Sequence, residues 1–193
     1  AIEKEEAAAK AAIEKEEAAA KKQTFIDKAI ETAKTVEKLE SLIAEKKYDK
    51  ALAILNGFDK NMRHVALTPA GEKYRGQVFS YETVLRYIVR ISFNKMVDKI
   101  SAIQYSELVD KKEATFQKII KAYDDLDEAI KRYKQEAEEY VGDSDEEFIA
   151  GIKADADTVL NDLEKMYDDM SASDIASTKA ADEEEAKVEL EAQ

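Results

Sequence analysis

Between residues 24 and 141, apolar side chains recur every three or four positions in four successive stretches, the spacing that lines one face of an α-helix. The first stripe predicts helix A over about Thr24 to Lys46, through Phe25, Ile26, Ala29, Ile30, Ala33, Val36, Leu39, Leu42 and Ile43. Helix B is expected from about Tyr48 to Thr68, turning Leu52, Leu55, Phe58, Met62 and Val65 inward, with Asn56-Gly57 as a point of kinking or breakage. Pro69 and Gly71 end it, because proline lacks the amide proton and clashes with the preceding turn. The most apolar stripe, Val78, Tyr81, Leu85, Ile88, Val89, Ser92, Met96, Ile100 and Ile103, predicts helix C over about Gln77 to Ile103. Ser106 is the expected cap of helix D, which carries Phe116, Ile119, Ile120, Tyr123, Leu126, Ile130, Tyr133 and Tyr140 before Val141-Gly142 closes it. Four such stripes joined by short connections predict an all-α protein, an antiparallel up-down four-helix bundle over residues 24–141.

The flanks follow other rules. Residues 1–11 and 12–22 are a near-exact 11-residue repeat, AIEKEEAAAKA and AIEKEEAAAKK, of strong helix formers, so residues 1–23 read as a helical extension. One Ile per repeat builds no core. The segment is a solvated semi-rigid spacer or, because an 11-residue period keeps Ile2 and Ile13 near one face, a strip that lies along a partner. After Gly142, the run DSDEE supplies a capping residue and first-turn acids. An additional helix is thus expected over 142–170 on a sparse stripe of Phe148, Ile152, Val159, Leu163, Met166 and Met170. Residues 171–193 lose the periodicity, carry DEEE, and read as a mobile acidic tail.

Composition narrows the classes. With 45% hydrophobic residues in a chain of 193, full disorder is excluded, and no apolar run approaches the roughly 20 residues that span a bilayer, so any membrane role is peripheral. The net charge of −13 is uneven: residues 1–123 hold 23 Lys and Arg against 19 Asp and Glu, whereas residues 124–193 hold 7 against 24. A mildly basic body joined to a strongly acidic end argues against general nucleic-acid affinity, which needs a concentrated basic footprint. A basic face docking on an acidic protein surface fits better.

Catalytic signatures fail one by one. His64 is the only histidine, and Asn61 stands where a Glu-x-x-His di-iron motif needs Glu, so neither a triad nor a multi-histidine metal site forms within one chain. Asp143, Asp145 and Glu147 alternate like the start of an EF-hand, but Phe148 replaces the required Gly and Ala154 the bidentate Glu. There is no phosphate-cradling Gly-rich loop, and the acid clusters Asp124, Asp125, Asp127 and Glu128, and Glu136, Glu138 and Glu139, read as solvated helix faces. No catalytic, cofactor or metal residue is assigned. Tyrosines 74, 81, 87, 105, 123, 133 and 140 gather around helices C and D, either as a bundle rim with buried rings and wet hydroxyls or, interleaved with cations, as a docking face. The candidate partner-docking residues are Arg63, His64, Lys73, Tyr74, Arg75, Arg86, Tyr87 and Arg90.

At LESLIAEKKYDKALAILN (Leu39 to Asn56), YETVLRYIVRIS (Tyr81 to Ser92) and FQKIIKAYDDLDEAIKRY (Phe116 to Tyr133), the chain resembles the PsbQ-like extrinsic subunits of photosystem II. Leu42, Ile43, Lys46, Tyr48, Leu85, Arg86, Tyr87, Leu126, Asp127 and Ala129 carry the likeness, which covers the bundle alone. That family often has tryptophan where Tyr48 stands and a proline-rich extended N-terminus where this chain has a helical repeat. The resemblance implies a processed protein of the chloroplast thylakoid lumen, peripheral to the membrane and without an active site. It would dock on the photosystem II core and its other extrinsic subunits, shielding the oxygen-evolving centre. The competing expectation is a secreted or cell-surface helical adaptor that binds another protein.

Overall fold

A computed structural model describes residues 2–67 and 77–191. Among them lie six α-helices: α1 (Ile2–Ala44), α2 (Tyr48–Asn56), α3 (Tyr81–Ser101), α4 (Tyr105–Asp110), α5 (Lys112–Glu136) and α6 (Glu146–Glu191). Two short strands, β1 (Val65–Ala66) and β2 (Val78–Phe79), and a π-helical turn over Ala137–Val141 complete the elements. The chain is mostly helical, as its composition predicts. It divides into two compact units, Ala1–Ile88 with Glu136–Gly142, and Val89–Gln135 with Asp143–Gln193.

In the first unit the repeat extension and predicted helix A are one uninterrupted helix, α1, because nothing between Lys22 and Thr24 breaks it. Residues 2–25 are all exposed, and burial starts only at Ala29, Thr32, Ala33, Val36 and Leu39, the expected stripe. Phe25, placed on that stripe by spacing, is instead half exposed at 51% because it lies before the packed stretch. The helix ends in a Schellman-type turn: Lys46 takes a left-handed φ of 59°, and the Lys47 amide donates to the Leu42 carbonyl at 2.8 Å.

Helix B is shorter than predicted. Asn56-Gly57 does break it: the Gly57 and Phe58 amides turn back to Ile54 and Leu55, and Asp59 Oδ1 accepts the Asn61 amide at 2.9 Å in a side-chain turn that replaces the next helical bond. Met62, Val65 and Leu67 are buried from extended chain, not from a helix. β1 pairs antiparallel with β2, Val65 opposite Phe79 and Ala66 opposite Val78, which moves the start of helix C from Gln77 to Tyr81. The β-branched valines suit strands, and the two-residue length kept the hairpin out of any periodic signal. Buried Phe79 contacts the Phe58 ring at 5.3 Å and the Tyr87 ring at 6.3 Å.

The second unit is built on the end of α3 with α4, α5 and α6. Gln104, not Ser106, caps helix D: its amide donates to Glu107 Oε2 at 3.0 Å, so the helix starts at Tyr105. The expected single helix is split at Lys111, where Thr115 is buried and donates its hydroxyl to the Glu107 carbonyl at 3.0 Å. Closure occurs at the predicted place, with Gly142 left-handed at φ 99° and its amide on the Ala137 carbonyl. Asp145 caps α6 by accepting the Phe148 amide at 3.0 Å, while its own amide donates to the buried Tyr133 hydroxyl at 3.0 Å. Helix α6 continues through the segment expected to be a mobile tail, as far as Glu191: its Ala, Glu and Lys are good helix formers even where the apolar stripe stops.

Candidate docking surface

The candidate docking residues fall into three situations. Arg63 and His64 lie exposed on the segment leading into β1, and neither has an ion-pair partner among the described residues. Arg86 is half-buried and forks onto Glu82 Oε1, with Nη2 at 2.8 Å and Nε at 3.1 Å, while Tyr87 packs its ring against Phe79. Arg90 is exposed and holds its guanidinium 5.5 Å from the Phe148 ring, a cation–π contact within the second unit. Lys73, Tyr74 and Arg75 lie outside the described residues. Arg86 and Tyr87 therefore have packing partners of their own, and Arg63 and Arg90 are the candidates that keep an accessible charge.

The tyrosines divide in the same way. Tyr81 and Tyr133 are buried, Tyr87 and Tyr123 half-buried, and Tyr140 exposed. In the first unit Tyr81 donates its hydroxyl to Glu136 Oε2 at 2.8 Å, and Lys60 Nζ donates to Oε1 of the same carboxylate at 3.1 Å. Lys60 also sits 5.5 Å from the Tyr140 ring, which meets Tyr81 edge-on at 5.7 Å. The Glu136 hydrogen bond and charge hold the Lys60 ammonium above its ordinary pKa of 10.5. Glu136, with its side chain only 14% exposed, thus binds a loop, a helix and the π-turn together: a structural clamp with both carboxylate oxygens engaged. In the second unit, burial and the nearby Asp157 carboxylate, which accepts the hydroxyl at 3.4 Å, push the Tyr123 phenol above its usual range.

A surface that the hydrophobic pattern does not reveal lies in the second unit, where the end of α3 and α4 approach α5. It is an apolar cleft of about 330 Å³ floored by Ile100, Ala102, Ile103 and Ile119 and rimmed by Lys99, Lys118 and Lys121. That volume is near the lower end of pockets that hold a small ligand or one anchoring side chain. Lys121 is paired with Asp125 at 3.3 Å, and Glu107, also on the rim, is occupied by its cap. Lys99 and Lys118 are exposed and have no partner among the described residues. Ile119 also lines a second depression of about 360 Å³ with Leu108, Phe116, Leu160, Leu163 and Tyr167, over whose Phe116 and Tyr167 rings Lys112 sits at 5.9 Å. In sequence these lysines are ordinary helix-surface residues; only the fold brings Lys99 to the same rim as Lys118.

Among the described residues no group of three His, Asp or Glu side chains could hold a metal ion, and no helix is long and apolar enough to cross a membrane. Asp145, an acid of the EF-hand-like run, is engaged as a helix cap. Compared with family models, curated proteins and solved structures, the chain matches none.

Proposed function

We propose that this chain is a non-catalytic docking subunit, an antiparallel helical bundle whose first helix projects an arm for contact with a larger assembly. One observation carries the proposal. From Ile2 to Phe25 every residue of α1 is exposed, a rod about 36 Å long at 1.5 Å rise per residue. A helix that buries nothing adds nothing to the core, so its use is in reaching or touching something else. The cationic positions Arg63 and Arg90 supply charge for an acidic surface.

The resemblance nominates the lumenal face of photosystem II as that surface. Washing photosystem II-enriched membranes with concentrated salt and adding back the purified chain tests the proposal, since contacts between exposed charges weaken as salt rises. The chain should rebind at low salt, leave at high salt, and rebind at least tenfold more weakly when residues 2–22 are removed. Failure to rebind rejects the photosystem reading; equal binding without the arm rejects the arm as the docking element. The lysine-rimmed cleft favours a second reading, a helical adaptor or surface protein whose partner is another protein.

A further inference from the structure

We infer that the arm of α1 has a receptor on a second copy of this chain: the lysine-rimmed cleft beside Ile119. This rests on the reading of the arm as a docking element and names its occupant.

Each 11-residue repeat places an isoleucine with two glutamates three and four positions later, Ile2 with Glu5 and Glu6, and Ile13 with Glu16 and Glu17. On a helix these positions are neighbours, so one face presents an apolar knob beside two carboxylates, twice over. The knobs are accessible: Ile2 is 72% and Ile13 57% exposed. The 11-residue period turns the second knob only about 20° from the first, so both repeats offer the same face at positions about 16 Å apart.

The cleft is the chemical complement of that face. Its floor is built from Ile100, Ile103 and Ile119, and of its rim cations Lys99 and Lys118 have no partner among the described residues. The other rim charges are already engaged, Lys121 by Asp125 and Glu107 by the Gln104 amide. An inserted isoleucine removes its own surface and part of the cleft floor from water, and its two glutamates meet the two free ammonium groups. An exposed ion pair alone contributes little, so apolar insertion supplies the affinity and charge fixes the register. Two equivalent repeats per arm raise the effective concentration for recapture. Arm and cleft are different surfaces, so reciprocal exchange between two copies closes a two-fold dimer, and one-way contacts build head-to-tail rings or chains.

Sedimentation velocity on the full chain tests this. The wild type should show concentration-dependent association that is strongest at low ionic strength and persists, weakened, near 0.5 M salt, where the Debye length falls to only a few ångströms and apolar insertion alone remains. The double variant Lys99→Glu/Lys118→Glu, with circular dichroism showing unchanged helicity, should associate at least tenfold more weakly. Adding Glu5→Lys, Glu6→Lys, Glu16→Lys and Glu17→Lys to that chain restores complementary charge and should restore association. A wild type that stays monomeric throughout the concentration series overturns the inference, as does association indifferent to the cleft reversal or not regained in the combined variant. A monomeric chain that still rebinds salt-washed membranes through its arm would sink self-association alone and leave the docking reading standing; loss of arm-dependent rebinding would sink the docking reading itself.

Discussion

Residues 2–28 and 29–44 belong to one unbroken helix, yet the first stretch leaves every side chain exposed except half-buried Ile26, whereas the second buries Ala29, Thr32, Ala33, Val36 and Leu39. The two halves are helical for different reasons. The arm depends on local terms: alanine's low entropy cost and the small rotamer loss of Glu and Lys in a helix. The packed half contains poorer helix formers, Thr32, Thr35 and Val36, and both threonines return their hydroxyls to carbonyls one turn back, at 2.8 and 2.9 Å. Its helicity is supported by packing on α2 and β1. Propensity and packing are thus separable within a single element, and each can be removed without the other.

Proline separates them most sharply. Ala33→Pro places a ring in a fully packed turn and removes a helical hydrogen bond, at about 3 kcal/mol or more, so thermal melts followed by circular dichroism should show the first unit lost. Ala19→Pro should lower ellipticity through the arm only and leave the main transition in place. A main transition that drops equally in both variants would mean that the arm and the packed half are one cooperative unit.

Leucine and isoleucine truncations give the next largest contrast. Leu39 is 0% exposed, and Leu39→Ala should cost about 2–5 kcal/mol in urea unfolding through lost transfer energy and the cavity left behind. Ile13→Ala, measured at a dilution where copies do not meet, should stay within about 0.5 kcal/mol of wild type.

Two backbone positions of the first unit should move stability in opposite directions by about 1 kcal/mol or less. Gly142 sits at φ 99°, so Gly142→Ala is strained although nothing lies within 4 Å of the added carbon, and it should destabilise. Lys46, at φ 59°, already carries that strain, so Lys46→Gly should stabilise. Denaturant midpoints with unchanged slopes would report both.

The smallest effect is pH-dependent. Glu136 raises the folded pKa of Lys60 above 10.5, so its stabilising contribution is fully present below that unfolded value and disappears as pH rises through the folded one. Alkaline titration of the melting temperature should show a loss above about pH 10.5 that is reduced in Lys60→Met. The loss should be unchanged in Ala19→Pro, because the clamp lies on the packed side of the comparison.

Much of this organisation is legible in the residues. The stripe of α1 from Ala29 to Leu39, the breakage at Asn56-Gly57 and the closure at Gly142 all follow from spacing, side-chain size and the backbone freedom of glycine. One source of error is that periodicity reports a face but not whether anything covers it. Phe116 and Ile120 lie on a faultless helical stripe and are nevertheless 37% and 51% exposed. The β1–β2 hairpin is too short to have a period, and its Val65 also fits a helical pattern. Of the candidate docking residues, composition could mark Arg86 and Tyr87 as interface types, but not that Glu82 and Phe79 engage them.

Local chemistry by itself determined that this chain is mostly helical, that it breaks at Asn56-Gly57 and closes at Gly142, and which stretch would be a polar rod, because those depend on neighbours within about four residues. Only the tertiary structure decided that Glu136 would join Lys60 to Tyr81, and that Lys99 and Lys118, remote in sequence, would rim one apolar cleft. Charge pairing and cavity shape depend on distances across the fold, and no periodicity along the chain encodes them.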